Sequence, residues 1–231
     1  MDIALAVVAA AAATGFTLDL VRDFRRSPRP HVAAYATGIG MFALATWALA
    51  AGLALGWSGA AYRVFFLFGG VLNIPFLALG SMFLVVGPRA GHAMTIALGG
   101  LAAISTTLVL TVPFAEPLPR SGVPAEVFAP ISEAGFGPRL LAAIGSGLGA
   151  SILIALALVS LFRFWKRNRR LVWGNALIVT GTLAGSTGGT MLGFLGETAA
   201  FELSLLATVT LIWAGYRVAR GRRRASTAEP A

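Results

Sequence analysis

Apolar residues run through this chain in long unbroken blocks, and polar residues gather between the blocks. A bilayer-crossing helix needs roughly 20 apolar residues in succession. The strands of a membrane barrel are shorter and alternate in polarity. In lipid only a helix or a closed barrel satisfies its own backbone hydrogen bonds, so blocks of this length predict helices. Seven spans are expected, at about 3–21, 32–55, 64–86, 93–112, 140–162, 171–192 and 199–218. The expected fold is all-α: one seven-helix transmembrane domain over residues 1–224, followed by a disordered tail at 225–231.

Composition agrees with the pattern. Of 231 residues, 57% are hydrophobic and only 12% are charged. A soluble domain carries about 25% charged residues. The net charge of +9 does not point to nucleic acid, because the basic residues sit at the ends of the blocks. There they read as topology signals: fifteen of the 18 fall on one side, and only Arg63, Arg120 and Arg139 on the other. The positive-inside rule puts the fifteen in the cytoplasm, with the amino terminus outside and the carboxyl terminus inside. The first block starts with Met1-Asp2 and is followed, not preceded, by Arg22, Arg25, Arg26 and Arg29. It is therefore expected to be a retained helix rather than a cleaved signal peptide. Lys166 is the single lysine, and this arginine bias suggests a bacterial source and hence a bacterial cytoplasmic membrane.

The long connection at 113–139 holds six of the 11 prolines, so it is not one regular helix. It is either a cover over one mouth of the bundle or an extended linker. Spans one to three and five to seven have matching layouts, and Ala60-Ala61-Tyr62-Arg63 parallels Ala199-Ala200-Phe201-Glu202. Two parallel three-helix repeats around a lone fourth helix would give this pattern; so would chance in an alanine-rich chain.

Polar residues are costly in lipid and usually face the bundle interior. The sixth span carries Asn175, Thr182 and Ser186 on one face, overlapping a ladder of Gly181, Gly185, Gly189 and Gly193. Small residues at intervals of four let backbones approach closely. The ladder reads as helix packing, and the polar stripe as the same or as the lining of a ligand path. In the third span Asn73 precedes Pro75, which frees the carbonyl of Val71 and kinks the helix. Arg63 and Glu202 open the third and seventh spans and are placed either to pair or to be hydrated separately. Asp19 and Arg22 read as a local pair. Trp213 shares the face of Glu202. The expected ligand residues are Arg63, Asn73, Thr182, Ser186, Glu202 and Trp213, with Pro75 and the glycines as packing elements.

Much chemistry is excluded. There is no cysteine, hence no disulfide and no thiolate nucleophile or ligand. No lysine lies in the seventh span for a retinal Schiff base. Gly56-Trp57-Ser58-Gly59 matches the GxSG string of intramembrane serine proteases, but the only histidines, His31 and His92, lie at the opposite side. Those two histidines are poor haem ligands at interfacial depth. No paired carboxylates or phosphate loop are present, and no metal or cofactor is expected.

Arg29-Pro30-His31, Gly56-Trp57 and Tyr62-Arg63-Val64-Phe65-Phe66-Leu67-Phe68-Gly69, with a looser echo in Gly174-Asn175-Ala176-Leu177-Ile178, resemble a group of uncharacterised bacterial seven-helix membrane proteins. The resemblance implies a fold and no activity. The leading expectation is binding or transport of a small apolar or amphipathic molecule, of the lipid or quinone class, in a cavity between the third, sixth and seventh spans. The alternatives are a subunit that scaffolds another copy or a membrane partner through its glycine ladder, and an enzyme acting on a lipid.

Overall fold

The computed structural model describes residues 2–120, 122–124, 127–129, 131, 137–164, 169–195 and 198–220. For residues 2, 164, 171, 186–187, 189–195 and 198–199 it describes the backbone alone. The side chain of Ser186, the surroundings of Gly189 and Gly193, and the tail at 225–231 lie outside these limits.

Seven helices span the described chain: α1 (Asp2–Arg26), α2 (Pro30–Leu55), α3 (Gly59–Val85), α4 (Pro88–Thr111), α5 (Pro138–Phe164), α6 (Arg169–Leu195) and α7 (Thr198–Arg220). All but α6 are long and apolar enough, among the described residues, to cross a bilayer. Within α6 the described apolar stretch is Val172–Gly185. The chain is thus a helical bundle of the multi-pass membrane type.

Each helix starts before its apolar block, because first-turn residues belong to the helix though not to the block. Pro30, Pro88 and Pro138 each open a helix, where a missing N–H costs nothing and the fixed φ is already helical. Ser58 caps α3, accepting from the Ala61 N–H at 3.1 Å, and Gly56 turns the chain at φ 84°. The GxSG string is therefore the corner between two helices.

Residues Phe65–Leu72 of α3 are π-helical. The cause lies in the next three residues. The Asn73 N–H reaches back five residues to Phe68 O, and the Ile74 N–H is taken by Asn73 Oδ1 at 2.6 Å. Pro75 has no N–H. The carbonyls of Gly70 and Val71 thus lose their regular partners one turn ahead. Helix α5 compensates: Ser146 Oγ donates to Gly70 O. Gly145 leaves room for Val71 O, which a Cβ there would meet at 2.5 Å, and Gly149 sits against Pro75.

Packing follows a closed order. α1 touches α2, α2 touches α3, α3 touches α5, α5 touches α6, α6 touches α7, and α7 returns to α1. Helix α4 stands outside this ring, against α3 with a lesser contact to α5. Shifting every label in α1–α3 by four reproduces the ring order. This is the arrangement that two three-helix repeats joined by a lone fourth helix would make.

The α6–α7 contact is the most extensive, and glycines make it so. A Cβ at Gly181 would meet Ile212 Cγ1 at 2.9 Å, and one at Gly185 would meet Thr208 Oγ1 at 2.8 Å. Gly188 lies against Ser204, and Gly174 and Gly215 sit on each other's carbonyls. Among the described residues the face of α6 that packs on α7 thus carries Gly174, Gly181, Gly185 and Gly188, of which Gly181 and Gly185 belong to the expected ladder.

Candidate functional site

The two ends of the bundle differ. At the end holding the α2–α3, α4–α5 and α6–α7 connections, aromatic rings close the interior. Tyr62 is 1% exposed and packs against Trp57, Phe65, Phe66, Phe114 and Phe128. Two of these rings come from the proline-rich connection, whose Phe114 and Phe128 form an antiparallel bridge. Trp57 Nε1 donates to Gly122 O at 2.7 Å and pins the same connection down. The described part of 113–139 is thus a cover rather than a free linker.

Arg63 belongs to this cover. Its guanidinium donates to the carbonyls of Val109 and Val112 at the carboxyl end of α4. It also lies 4.6 Å from the centroid of the Phe114 ring. A cation at a helix carboxyl terminus is favoured by the dipole, and the ring face adds about 0.5–2 kcal/mol. Among the described contacts Arg63 does not meet Glu202, which is fully buried near the start of α7 and is itself engaged.

Of the other expected ligand residues, Asn73, Thr182 and Trp213 each hold an intramolecular partner, and Ser186 lies outside the described side chains. Asn73, 5% exposed, holds the Ile74 N–H. Thr182 Oγ1 donates to Ile178 O at 2.9 Å. Trp213 stacks on Phe16 and donates to Asp19 Oδ2 at 3.0 Å. Polar groups that are costly in lipid are here spent on capping, kinking and joining helices.

The opposite end carries the arginine-rich connections, and there the bundle is open. A cavity of about 1330 Å³ enters between α1, α2, α3, α5, α6 and α7. Arg63, Asn73, Thr182, Glu202 and Trp213 do not line it. Its walls include the expected α3, α6 and α7, and α1, α2 and α5 as well, so they come from both triplets of the ring.

The lining is layered. Arg26, Arg29 and Arg163 stand at the mouth, at the end of α1, the start of α2 and the end of α5. One to two turns inward lie Tyr35, Ser81, Ser160 and Asn175. Tyr35 Oη and Ser81 Oγ are 3.0 Å apart, and Asn175 Nδ2 donates to Ser160 Oγ at 2.7 Å. Gly80 makes room for the Tyr35 ring, which a Cβ would meet at 2.6 Å. Deeper still are Phe16, Ile39, Leu77, Leu153 and Ile212, all buried and part of one apolar cluster. Arg163 and Leu153 are ten residues apart on α5, about 15 Å at 1.5 Å per residue.

One wall of the mouth is the seam between α1 and α7. Asp23 Oδ2 pairs with Arg220 and accepts from Tyr216 Oη at 2.7 Å. Asp19 contacts Arg22 at 3.8 Å and Arg217 at 3.4 Å as well as Trp213. The local Asp19–Arg22 pair expected from sequence is present, within a larger clasp.

His31 lies in the cavity wall, edge-on to Tyr35, and His92 packs edge-on to Phe83. Among the described residues no group of three or more His, Cys, Asp or Glu is placed to hold a metal ion. Sequence reasoning missed Tyr35, Ser81 and Ser160. The signal was present, since His31, Tyr35 and Ile39 recur at intervals of four, as do Leu77, Ser81 and Val85. The mouth arginines were hidden for another reason: topology already accounted for them. The chain matches no protein-family model, no curated protein and no solved structure.

Proposed function

We propose that this chain is a bacterial cytoplasmic-membrane protein that binds, and moves, a small apolar or amphipathic molecule of the lipid or quinone class. In this reading the amino terminus is outside and the carboxyl terminus in the cytoplasm, as the arginine distribution requires. The cavity then opens to the cytoplasm, and the aromatic cover seals the outer side.

One observation carries the proposal: a cavity of about 1330 Å³, apolar at depth, lies between two helix triplets and opens at one end, while an aromatic cluster packs at the other. Small-molecule sites span about 300–1,000 Å³ and are mostly apolar with a few placed polar groups. A site between two repeats, reached from one side at a time, is the layout transporters use. The scaffold reading has weaker support, because Gly181 and Gly185 of that ladder already pack on α7.

Mass spectrometry of organic extracts of the purified protein tests the reading. A copurifying lipid or quinone is expected. Leu153→Trp, which fills the interior, should lose that molecule while the protein still elutes as a folded species. If nothing copurifies, and added decylubiquinone and short-chain diacylglycerol both fail to bind, the reading is wrong. Reporter fusions at the tail and beside Arg120 should report opposite sides of the membrane; a periplasmic tail would reverse the orientation.

A further inference from the structure

Two of the five arginines lining the cavity already have carboxylates: Arg217 lies by Asp19 and Arg220 by Asp23. Arg26, Arg29 and Arg163 have none among the described residues. Asp23, the one carboxylate in the lining, is held by Arg220 and Tyr216. Among the described residues the mouth therefore presents three arginines without a carboxylate partner, from three different helix ends, around the opening to an apolar interior.

We infer that the cavity takes an anionic amphiphile, with a phosphate-type head against Arg26, Arg29 and Arg163 and its hydrocarbon among Phe16, Ile39, Leu77, Leu153 and Ile212. This rests on the cavity being a binding site for an amphipathic molecule, and it names the charge of that molecule. Three kinds of lining support the assignment. Guanidinium groups present planar forks of N–H donors that match phosphate oxygens. The Tyr35–Ser81 and Ser160–Asn175 pairs sit one to two turns in, where the ester or glycerol part of such a molecule would lie. The interior is apolar and buried. A neutral quinone satisfies the interior and leaves the mouth charges unanswered. Free phosphate satisfies the mouth and leaves the interior unused.

The topological role of the arginines does not account for this placement. The positive-inside rule asks only that basic residues lie near the ends of spans on one side. Arg89, at the start of α4, meets that requirement and is not part of the cavity lining. It serves as the internal control.

The test is equilibrium binding to the purified full chain in neutral detergent. The probes are short-chain phosphatidic acid, diacylglycerol of the same chain length, decylubiquinone and inorganic phosphate. Phosphatidic acid should bind at least about tenfold tighter than diacylglycerol at low salt, since each interfacial basic residue contributes on the order of fivefold toward an anionic head. That preference should fall as salt rises, a readout that needs no variant. Arg26→Gln, Arg29→Gln and Arg163→Gln combined should remove most of the preference, and Arg89→Gln should retain it. Leu153→Trp should abolish binding of both lipids. Equal affinity for diacylglycerol or decylubiquinone, still sensitive to Leu153→Trp, would overturn the anionic assignment and leave the amphiphile site standing. Inorganic phosphate competing at the same concentration as phosphatidic acid would overturn the role of the tail. Binding of no amphiphile, or binding indifferent to Leu153→Trp, would overturn the site itself.

Discussion

Trp213 of α7 donates its indole hydrogen to Asp19 of α1 at 3.0 Å, and so closes the helix ring between its first and last members. The same carboxylate lies 3.4 Å from Arg217, whose guanidinium is 5.2 Å from the Trp213 ring centroid. One side chain thereby ties together a hydrogen bond, an ion pair and a cation–π contact. Interhelical hydrogen bonds in membranes average about 0.6 kcal/mol and reach about 1.7. A double-mutant cycle of Asp19→Ala and Trp213→Phe, read by thermal unfolding in detergent, should give a coupling in that range. Additive effects would mean that the bond contributes nothing to closing the ring.

The kink in α3 predicts a second coupling. Ser146→Ala leaves the Gly70 carbonyl without its donor and should cost about 1 kcal/mol. Pro75→Ala restores the N–H that faces Gly70 O at the five-residue spacing by which the Asn73 N–H reaches Phe68 O. In that background Ser146→Ala should be nearly silent. A cost that is the same in both backgrounds would show that Ser146 is not compensating for the proline.

Asn73→Leu should destabilise the protein by about 1–3 kcal/mol, because it orphans the Ile74 N–H in a buried helix. Ligand affinity of the surviving folded protein should stay within a few-fold of wild type, since Asn73 does not line the cavity. Intact stability with lost binding would reverse this assignment and make Asn73 a ligand residue.

The glycine face of α6 gives the steepest expectation. Gly185→Leu places a side chain where Thr208 Oγ1 stands and should lower the melting temperature or prevent expression. Leu183→Ala, two residues away and 47% exposed, should stay within about 1 kcal/mol of wild type. Equal melting temperatures for the two would show that α6 and α7 do not pack as described.

At the aromatic end, Arg63→Met removes the cap on the last carbonyls of α4 and the cation on the Phe114 ring. Limited proteolysis within 113–129 should become faster, with the helical core unaffected. Unchanged cleavage would mean that Trp57 and the ring cluster hold the cover without Arg63.

The sequence by itself determined the seven helices and the sorting of arginines to one end. Both follow from one-dimensional rules: apolar run length against bilayer thickness, and charge against side. Pro75 as a helix distortion, and glycines as contact points on the sixth span, were also legible, because a missing N–H and a missing Cβ act locally. The use of each polar side chain was not. Arg63, Asn73, Thr182, Glu202 and Trp213 stood out because polarity in lipid is costly, but cost alone does not say whether a ligand or a neighbouring helix meets it. Only the tertiary structure supplies the neighbours. Arg63 caps a helix 46 residues away in sequence, and Trp213 bonds a carboxylate 194 away. The cavity lies among six helices from two triplets at the basic end. Its layers come from residues at one-turn intervals on different helices, and their register is set by packing, which no single stretch of sequence encodes.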